Sequence, residues 1–237
     1  MQGKLYLIPI PLGDCSFEYV LPGGISKIIS NLEHFIVENT RTVRRYIRAT
    51  NAQKNIDEIT FFVLNKHTKK QEMEAFLEPA KKGYNMGIIS EAGVPGIADP
   101  GADIVSMAHK LNIEVVPLVG PSSIFLALMA SGMNGQSFTF HGYLPIKNNE
   151  RTQKLKTIEK ESQKYKRTEI FMETPYRNNK LLADILKVCK KDTYLCIASN
   201  ITLKEEYIKT KTIEQWQKEE INLHKKPAVF LLSSSGF

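Results

Sequence analysis

The sequence predicts two α/β domains, a doubly wound and mostly parallel sheet over residues 1–117 and a second α/β domain with a mixed sheet over 118–237. Three observations predict it. Short apolar, strand-like runs alternate with helix-length segments through the first half, the pattern of parallel strands joined by crossover helices. Turns dense in glycine and proline close several of those runs. The alternation begins afresh after Pro117-Leu-Val-Gly-Pro121, and its late runs are spaced closely, which suggests a mixed sheet.

Leu5–Ile10 is the expected first strand, followed by strands at His34–Glu38, Ile59–Leu64, Asn85–Ser90 and Ile113–Leu118. The intervening segments Arg41–Thr50, Lys69–Lys82 and Ala102–Leu111 have helical periodicity. The second half offers an apolar helix Ser122–Ser131, a strand Ser137–Gly142 and a charged helix Asn149–Lys164. Strands at Ile170–Glu173, Tyr194–Ser199, Glu206–Lys209 and Ala228–Ser233 follow, with helices at Tyr176–Val188 and Thr212–Glu219. The Lys-rich stretch 154–167 carries Leu155 and Ile158 at helical spacing and is read as a solvated helix.

With 42% hydrophobic residues, a chain of 237 residues can bury ample cores. Its net charge of +7 and isoelectric point near 9.2 favour an anionic partner. Cys15, Cys189 and Cys196 are odd in number and lack CxxC spacing, which argues against a disulfide framework and a thiolate zinc site and suits a reducing cytoplasm. The amino-terminal apolar run is short and broken by Pro9, and no stretch approaches membrane-spanning length, so neither export nor membrane insertion is expected. No small extra domain is expected after Phe237. P-loop, HExxH, GxSxG and ordered GxGxxG motifs are absent, which removes sequence support for P-loop hydrolysis, zinc proteolysis, serine-esterase chemistry and ordinary dinucleotide binding. The histidines are scattered along the chain.

The segment Ile88-Ile-Ser-Glu-Ala-Gly-Val-Pro-Gly-Ile-Ala-Asp-Pro-Gly101 is the most informative. A strand runs there into a stiff but open turn, where Gly93, Gly96 and Gly101 permit close approach and Pro95 and Pro100 fix φ. Asp99 can cap the following helix or face a ligand. Similar corners occur at Ile8-Pro-Ile-Pro-Leu-Gly-Asp14 and Pro117-Leu-Val-Gly-Pro-Ser-Ser123. Such corners at the carboxyl ends of strands are where open α/β sheets bind small ligands. Arg41, Arg44, Arg45 and Arg48 recur at i, i+3, i+4 and i+7, placing four guanidinium groups on one helix face opposite Val43, Tyr46 and Ile47. That stripe suits a phosphate backbone, although acids elsewhere could balance it.

In this order the motifs resemble the tetrapyrrole methylase superfamily of S-adenosylmethionine-dependent methyltransferases, and within it the 16S ribosomal RNA cytidine 2′-O-ribose methyltransferases. The likeness spans nearly the whole chain. It rests on Leu5-Tyr-Leu-Ile-Pro-Ile-Pro-Leu-Gly13, Glu38-Asn-Thr-Arg41, Ser90-Glu-Ala-Gly-Val-Pro95 with Asp99-Pro-Gly101, Val116-Pro-Leu-Val-Gly-Pro-Ser-Ser123, His141-Gly-Tyr-Leu-Pro145 and Phe171-Met-Glu-Thr-Pro-Tyr-Arg177. The opening Pro9-Ile-Pro-Leu-Gly13 is similar to the RNA branch rather than to the Gly-x-Gly-Pro-Gly turn of the tetrapyrrole branch.

The resemblance implies a homodimer of two-domain subunits with S-adenosylmethionine in the interdomain cleft and no metal. Carried over by position, the cofactor walls are Pro11, Leu12, Gly13, Glu91, Ala92, Gly93, Pro95, Ser122, Ser123, Leu144, Ala198 and Ala228. Asn39, Arg41, Arg44, Arg45 and Arg48 are expected on the RNA or small-ribosomal-subunit side. Methyl transfer to a ribose hydroxyl calls for a general base, or a cation for the developing alkoxide, and Glu38, Glu173 and Lys204 are the candidates. A capping role for Glu38 is the alternative.

The chain departs from the RNA-branch pattern on the acceptor side. Asn39 replaces an aspartate, Ser199 and Asn200 replace an arginine and a glutamate, and Lys225-Lys-Pro-Ala-Val-Phe-Leu replaces a Gly-Glu-hydrophobic run. These departures keep two rivals open, a methyltransferase for a tetrapyrrole or other small molecule and a non-catalytic RNA-binding or ribosome-assembly paralogue.

Overall fold

The computed structural model describes residues 1–50, 55–65 and 67–234. Its contacts divide the chain into two compact units, Met1–Ser122 and Ser123–Phe237.

The first unit is built on β1 (Lys4–Ile8), β2 (His34–Val37), β3 (Thr60–Val63), β4 (Met86–Ile89) and β5 (Glu114–Pro117). All pairings are parallel, in the order β3-β2-β4-β1-β5. Leu5 sits between Met86 and Val115 in register. From β1 to β3 the chain steps toward one edge, and from β3 to β5 it returns. Right-handed crossovers therefore send the two sets of helices to opposite faces.

The core clusters follow that division. On one face Ile25 and Ile29 of α2 (Gly24–Ser30) and Val43, Tyr46 and Ile47 of α3 (Thr40–Ala49) pack on Ile8, Phe35, Val37 and Ile89; the short α1 (Phe17–Val20) precedes them. On the other, Met73 of α4 (Lys70–Phe76), Ala80 of α5 (Glu78–Lys81) and Ile104 and Ala108 of α6 (Gly101–Lys110) pack on Leu5, Ile36, Met86 and Ile88. The expected helix Lys69–Lys82 is thus two helices. Pro79 sits in the first turn of α5 and has no N–H to continue the ladder of α4.

The second unit carries β6 (Phe138–Tyr143), β7 (Thr168–Glu173), β8 (Tyr194–Ser199), β9 (Tyr207–Thr212) and β10 (Ala228–Ser233) in the order β6-β7-β10-β8-β9. β6 and β7 are parallel and the remaining pairs antiparallel, so the sheet is mixed. Buried residues of α8 (Asn148–Tyr165), α9 (Asn178–Val188) and α10 (Ile213–Trp216) close over Phe171, Leu195, Ile197 and Phe230. The apolar α7 (Ser123–Ser131) joins the sheet through Thr210 Oγ1, which donates to the Ser131 carbonyl at 2.7 Å. The expected helix Thr212–Glu219 shortens to α10, opened by a reciprocal cap between Thr212 and Gln215 and anchored by Trp216 Nε1 on the Leu195 carbonyl at 2.8 Å. Among the described residues no helix is long and apolar enough to cross a membrane.

Candidate functional site

In the first unit the glycine- and proline-rich corners after β1, β4 and β5 are fastened to one another. Ile10 and Gly93 exchange both main-chain hydrogen bonds, at 2.9 and 3.0 Å. Gly93 has φ +73°, and a Cβ there would stand 3.0 Å from the Pro121 carbonyl and 3.1 Å from Leu12 Cδ2. Gly120 approaches Pro9 so closely that its Cβ would lie 2.1 Å from Pro9 Cβ. Glycine is required at both positions. Pro11, Leu12, Gly93, Pro95 and the segment leading to Ser122 are therefore gathered at the carboxyl ends of the central strands, while Gly13, Glu91 and Ala92 are exposed beside them.

Asp99 resolves as the brace of the middle corner. Its carboxylate accepts from Gly96 N at 2.9 and 3.0 Å and from Gly101 N at 2.7 Å, holding the turn against the start of α6. Burial nevertheless pushes its carboxyl above the ordinary range, against the pull of those amides. Glu38, at the carboxyl end of β2, accepts weakly from Glu91 N at 3.4 Å. Burial, and then the nearby charge of Asp99, raise its pKa. Glu38 does not cap α3. Asn39 does, accepting from Arg41 N at 2.9 Å and Thr42 N at 3.3 Å.

Glu38, Asn39, Leu64, Asn65, Glu91, Ala98, Asp99 and Pro100 line an open groove of about 670 Å³. That volume falls within the range of small-molecule sites, roughly 300–1,000 Å³. Carboxylate walls without lysine or arginine suit a ligand that is itself cationic and carries hydroxyls. Asn65 and Ala98 were not singled out in the sequence. Asn65 lies just beyond β3, where the rule for strand ends in open sheets could have found it.

A second groove of about 670 Å³ is lined by Thr40, Arg41, Thr42, Arg44, Arg45 and Arg48. α3 presents the expected stripe, with Val43, Tyr46 and Ile47 buried behind it. One member differs from the expectation: Arg44 Nη2 meets Asp57 Oδ1 at 2.6 Å, so its charge is balanced. Among the described residues no acid pairs with Arg41, Arg45 or Arg48. Tyr46 connects this helix to the first corner, its hydroxyl donating to the Pro9 carbonyl at 2.8 Å.

In the second unit Ala228 lies opposite Glu173 on one side and Ser199 on the other, and Ala198 is paired with Val229. Glu173, Ala228 and Ser199 thus form one row across three strands, with Lys204 exposed in the turn that follows β8. Leu144 is buried just after β6. The buried Glu173 carboxylate is already engaged, by Arg177 Nη2 at 2.6 Å and Thr174 N at 2.7 Å. Elsewhere His141 Nε2 contacts Glu169 at 2.6 Å, and Arg167 bridges Glu169 and Glu161 at 2.6 and 2.7 Å. The guanidinium thus offsets part of the carboxylate charge in this cluster of potential metal ligands.

A family model for tetrapyrrole (corrin/porphyrin) methylases matches residues 4–217. The chain belongs to this family. Methyltransfer is accordingly its chemistry. Over 233 residues the chain is 33% identical to the ribosomal RNA small subunit methyltransferase I of Buchnera aphidicola subsp. Schizaphis graminum, covering 97% of this chain and 78% of that protein. The protein of the same name from Vibrio cholerae is 32% identical over 235 residues, covering 96% and 76%. Among solved structures, the methyltransferase CobJ superposes with a TM-score of 0.65 at 13% identity, covering 98% of this chain and 95% of that one. A uroporphyrin-III C-methyl transferase from Thermus thermophilus, complexed with S-adenyl homocysteine, gives 0.56 at 12% identity and 98% coverage of both chains. At those identities the superpositions speak for the methylase fold.

Proposed function

We propose that the protein transfers a methyl group from S-adenosylmethionine to a ribose 2′-hydroxyl of small-subunit ribosomal RNA, working in the cytoplasm as a homodimer and without a metal. The observation that carries this reading is that the linings of two grooves of opposite charge follow one another along the chain. Residues Glu38 and Asn39 line the acid-walled groove at the strand ends, and the next residues, Thr40 and Arg41, begin the arginine-lined one. The acid-walled lining suits a small cationic cofactor and the arginine-lined one a polyanionic acceptor. The relatives named for small-subunit ribosomal RNA support the choice of acceptor.

Pro11, Leu12, Gly13, Glu91, Ala92, Gly93, Pro95 and Ser122 of the first unit would hold the cofactor, Glu91 from the wall of the acid-lined groove. When bound, S-adenosylmethionine supplies a methyl group activated on a sulfonium. The fastened corners hold their main-chain groups in fixed positions, which is what an aligned displacement requires. Arg41, Arg45 and Arg48 would hold phosphates of the acceptor, with Arg44 in reserve behind its ion pair. Glu38 is the assigned general base, because burial brings its carboxyl nearer neutrality and so strengthens it as a proton acceptor. Glu173 is occupied by Arg177 and is better suited to positioning its strand end. Lys204, exposed beyond β8, would offer positive charge to a developing alkoxide.

The test is transfer of labelled methyl from S-adenosylmethionine into naked RNA, small ribosomal subunits and a porphyrinoid extract in parallel. Label in RNA or subunits, appearing as 2′-O-methylnucleoside after digestion, is the expected result. Label in the porphyrinoid fraction alone would overturn the acceptor, and RNA binding without transfer to any acceptor would make the protein a non-catalytic paralogue.

A further inference from the structure

The carboxyl end of β7 and the loop before β10 form a small platform in the second unit that the methyl-transfer chemistry does not use. Tyr176 is 70% exposed, yet its ring is held, meeting His224 edge-on with centroids 5.8 Å apart. Such a T-shaped contact engages only part of each ring, leaving a tyrosine face open to solvent. The loop beneath it is tied to the start of α9 at every step. Lys225 N donates to the Pro175 carbonyl at 3.1 Å, Asn178 Nδ2 to the Lys226 carbonyl at 2.6 Å, and Leu223 N to Asn179 Oδ1 at 2.7 Å. Asn222 Oδ1 accepts from both His224 N and Asn179 Nδ2, each at 2.9 Å. Lys225 adopts φ +60°, a left-handed conformation that side chains rarely take and that these bonds impose.

The charge of the platform is one-sided. Residues 174–180 and 222–227 contain Arg177, Lys180, Lys225 and Lys226 with no aspartate or glutamate. Arg177 is balanced by Glu173, which leaves Lys180, Lys225 and Lys226 as the net charge of the two segments that carry the rings. Two buried polar atoms in the same corner, Arg177 Nε and Asn178 Oδ1, have no hydrogen-bond partner among the described residues. An open aromatic face flanked by unbalanced lysines on a rigid loop matches the requirements of an unpaired nucleobase with its neighbouring phosphates.

We propose that Tyr176, supported edge-on by His224, is a stacking platform for an unpaired base of single-stranded RNA, with Lys225 and Lys226 meeting the flanking phosphates. This rests on the reading of the acceptor as RNA and adds a contact surface separate from the arginine stripe of α3. The platform is sequence-tolerant, because every base has a π face. Its role is to hold the acceptor strand unpaired next to the strand end that carries Glu173 and Ala228.

The test measures affinity for a short fluorescein-labelled single-stranded RNA of mixed sequence by anisotropy, with S-adenosylmethionine affinity and melting temperature as controls. Tyr176→Ala should weaken RNA binding by roughly 5- to 150-fold, the equivalent of ~1–3 kcal/mol for one base stack, with both controls unchanged. Tyr176→Phe, which keeps the ring, should bind as the parent does. Lys225→Glu with Lys226→Glu should make the dependence of log K on log salt shallower by about 0.7 for each phosphate no longer neutralised. If Arg45→Glu impairs RNA binding while Tyr176→Ala leaves it intact, the platform is overturned and the RNA reading stands. If the parent binds neither the oligonucleotide nor small subunits, the RNA reading falls and the platform with it.

Discussion

Alanine at Gly120 should prise two of the corners apart. On the existing backbone its Cβ would lie 2.1 Å from Pro9 Cβ and 2.4 Å from Pro9 Cγ. Non-bonded carbons rest at roughly 3.5–4.0 Å, so the corner after β5 must retreat from the corner after β1 by about 1.5 Å. Neither side yields easily. Pro9 is a ring with fixed φ, and its carbonyl holds the Tyr46 hydroxyl at 2.8 Å. Overpacking costs ~1–3 kcal/mol, and a clash with two rigid ring atoms places Gly120→Ala near the upper end. For a first unit that spans Met1–Ser122, at roughly 2.1 cal/mol/K of unfolding entropy per residue, ~3 kcal/mol lowers its melting temperature by about 12 °C. Misplacement on the order of 1 Å costs ~100-fold in rate, so methyl transfer should fall by about that factor, with weaker S-adenosylmethionine binding by titration calorimetry. Gly96→Ala is the control: φ there is +85° with nothing within 4 Å of where the added methyl would sit, so only conformational strain of ~1–2 kcal/mol applies. A Gly120→Ala protein with parental melting temperature would refute the close packing of the corners. Lost stability with parental cofactor affinity would refute their role as cofactor walls.

The Glu38 carboxyl is raised by burial, so its contribution to stability is fully present below its unfolded pKa and is lost as pH rises through the folded value. Glu38→Gln should therefore melt higher than the parent at neutral pH, lose that advantage in acid, and transfer methyl about 100-fold more slowly or worse; a parental rate would remove Glu38 as the base. Asn39→Ala should destabilise the first unit by ~1 kcal/mol in urea unfolding through loss of the α3 cap. Asn39→Asp should keep the cap and move the pH optimum of transfer upward; an unmoved optimum would separate position 39 from the titration of Glu38. Arg45→Glu should weaken RNA binding and flatten its salt dependence by roughly 0.9 per phosphate on a duplex, more than Arg44→Glu, whose guanidinium is already balanced by Asp57. Equal effects in filter binding would show that the Asp57 pair opens when RNA binds.

Much of the scaffold was legible because strands here are short apolar runs and the corners after them are punctuated by glycine and proline. The strand at Tyr194–Ser199 and the strand at Ala228–Ser233 have the boundaries that their apolar runs suggest. α2 was illegible because it opens on Gly23-Gly24, poor helix formers, and is recruited by Ile25 and Ile29 packing on the sheet. The break between α4 and α5 was written in Pro79, but a continuous amphipathic pattern on both sides masked it. At the site, local chemistry was readable and long-range chemistry was not. The i, i+3, i+4, i+7 spacing gave the arginine face, whereas the Asp57 carboxylate that balances Arg44 comes from a separate segment. The corners were visible individually, but nothing local tells that Gly120 packs on Pro9 or that Ile10 bridges Gly93.

The departures on the acceptor side look different once their surroundings are known. Asn39 in place of aspartate surrenders nothing of the α3 cap, since one amide oxygen serves both Arg41 N and Thr42 N. What it removes is a negative charge beside a carboxyl already raised by burial, by Asp99 and by Glu91. A further carboxylate would raise Glu38 more and leave less of it ionised at neutral pH; asparagine keeps the geometry and relieves the electrostatics. Ser199 follows the same logic across the second sheet. It is 1% exposed and sits two strands from Glu173, with Ala228 of the intervening strand between them, so the chain has no cation there to reach across to Glu173. Arg177, four residues further along the same chain segment, pairs with Glu173 instead. The charges that the replacements remove were therefore dispensable to the architecture. In the proposed reading their loss bears on how an RNA acceptor is held, with Lys225 and Lys226 of the loop before β10 as positive charge in the second unit.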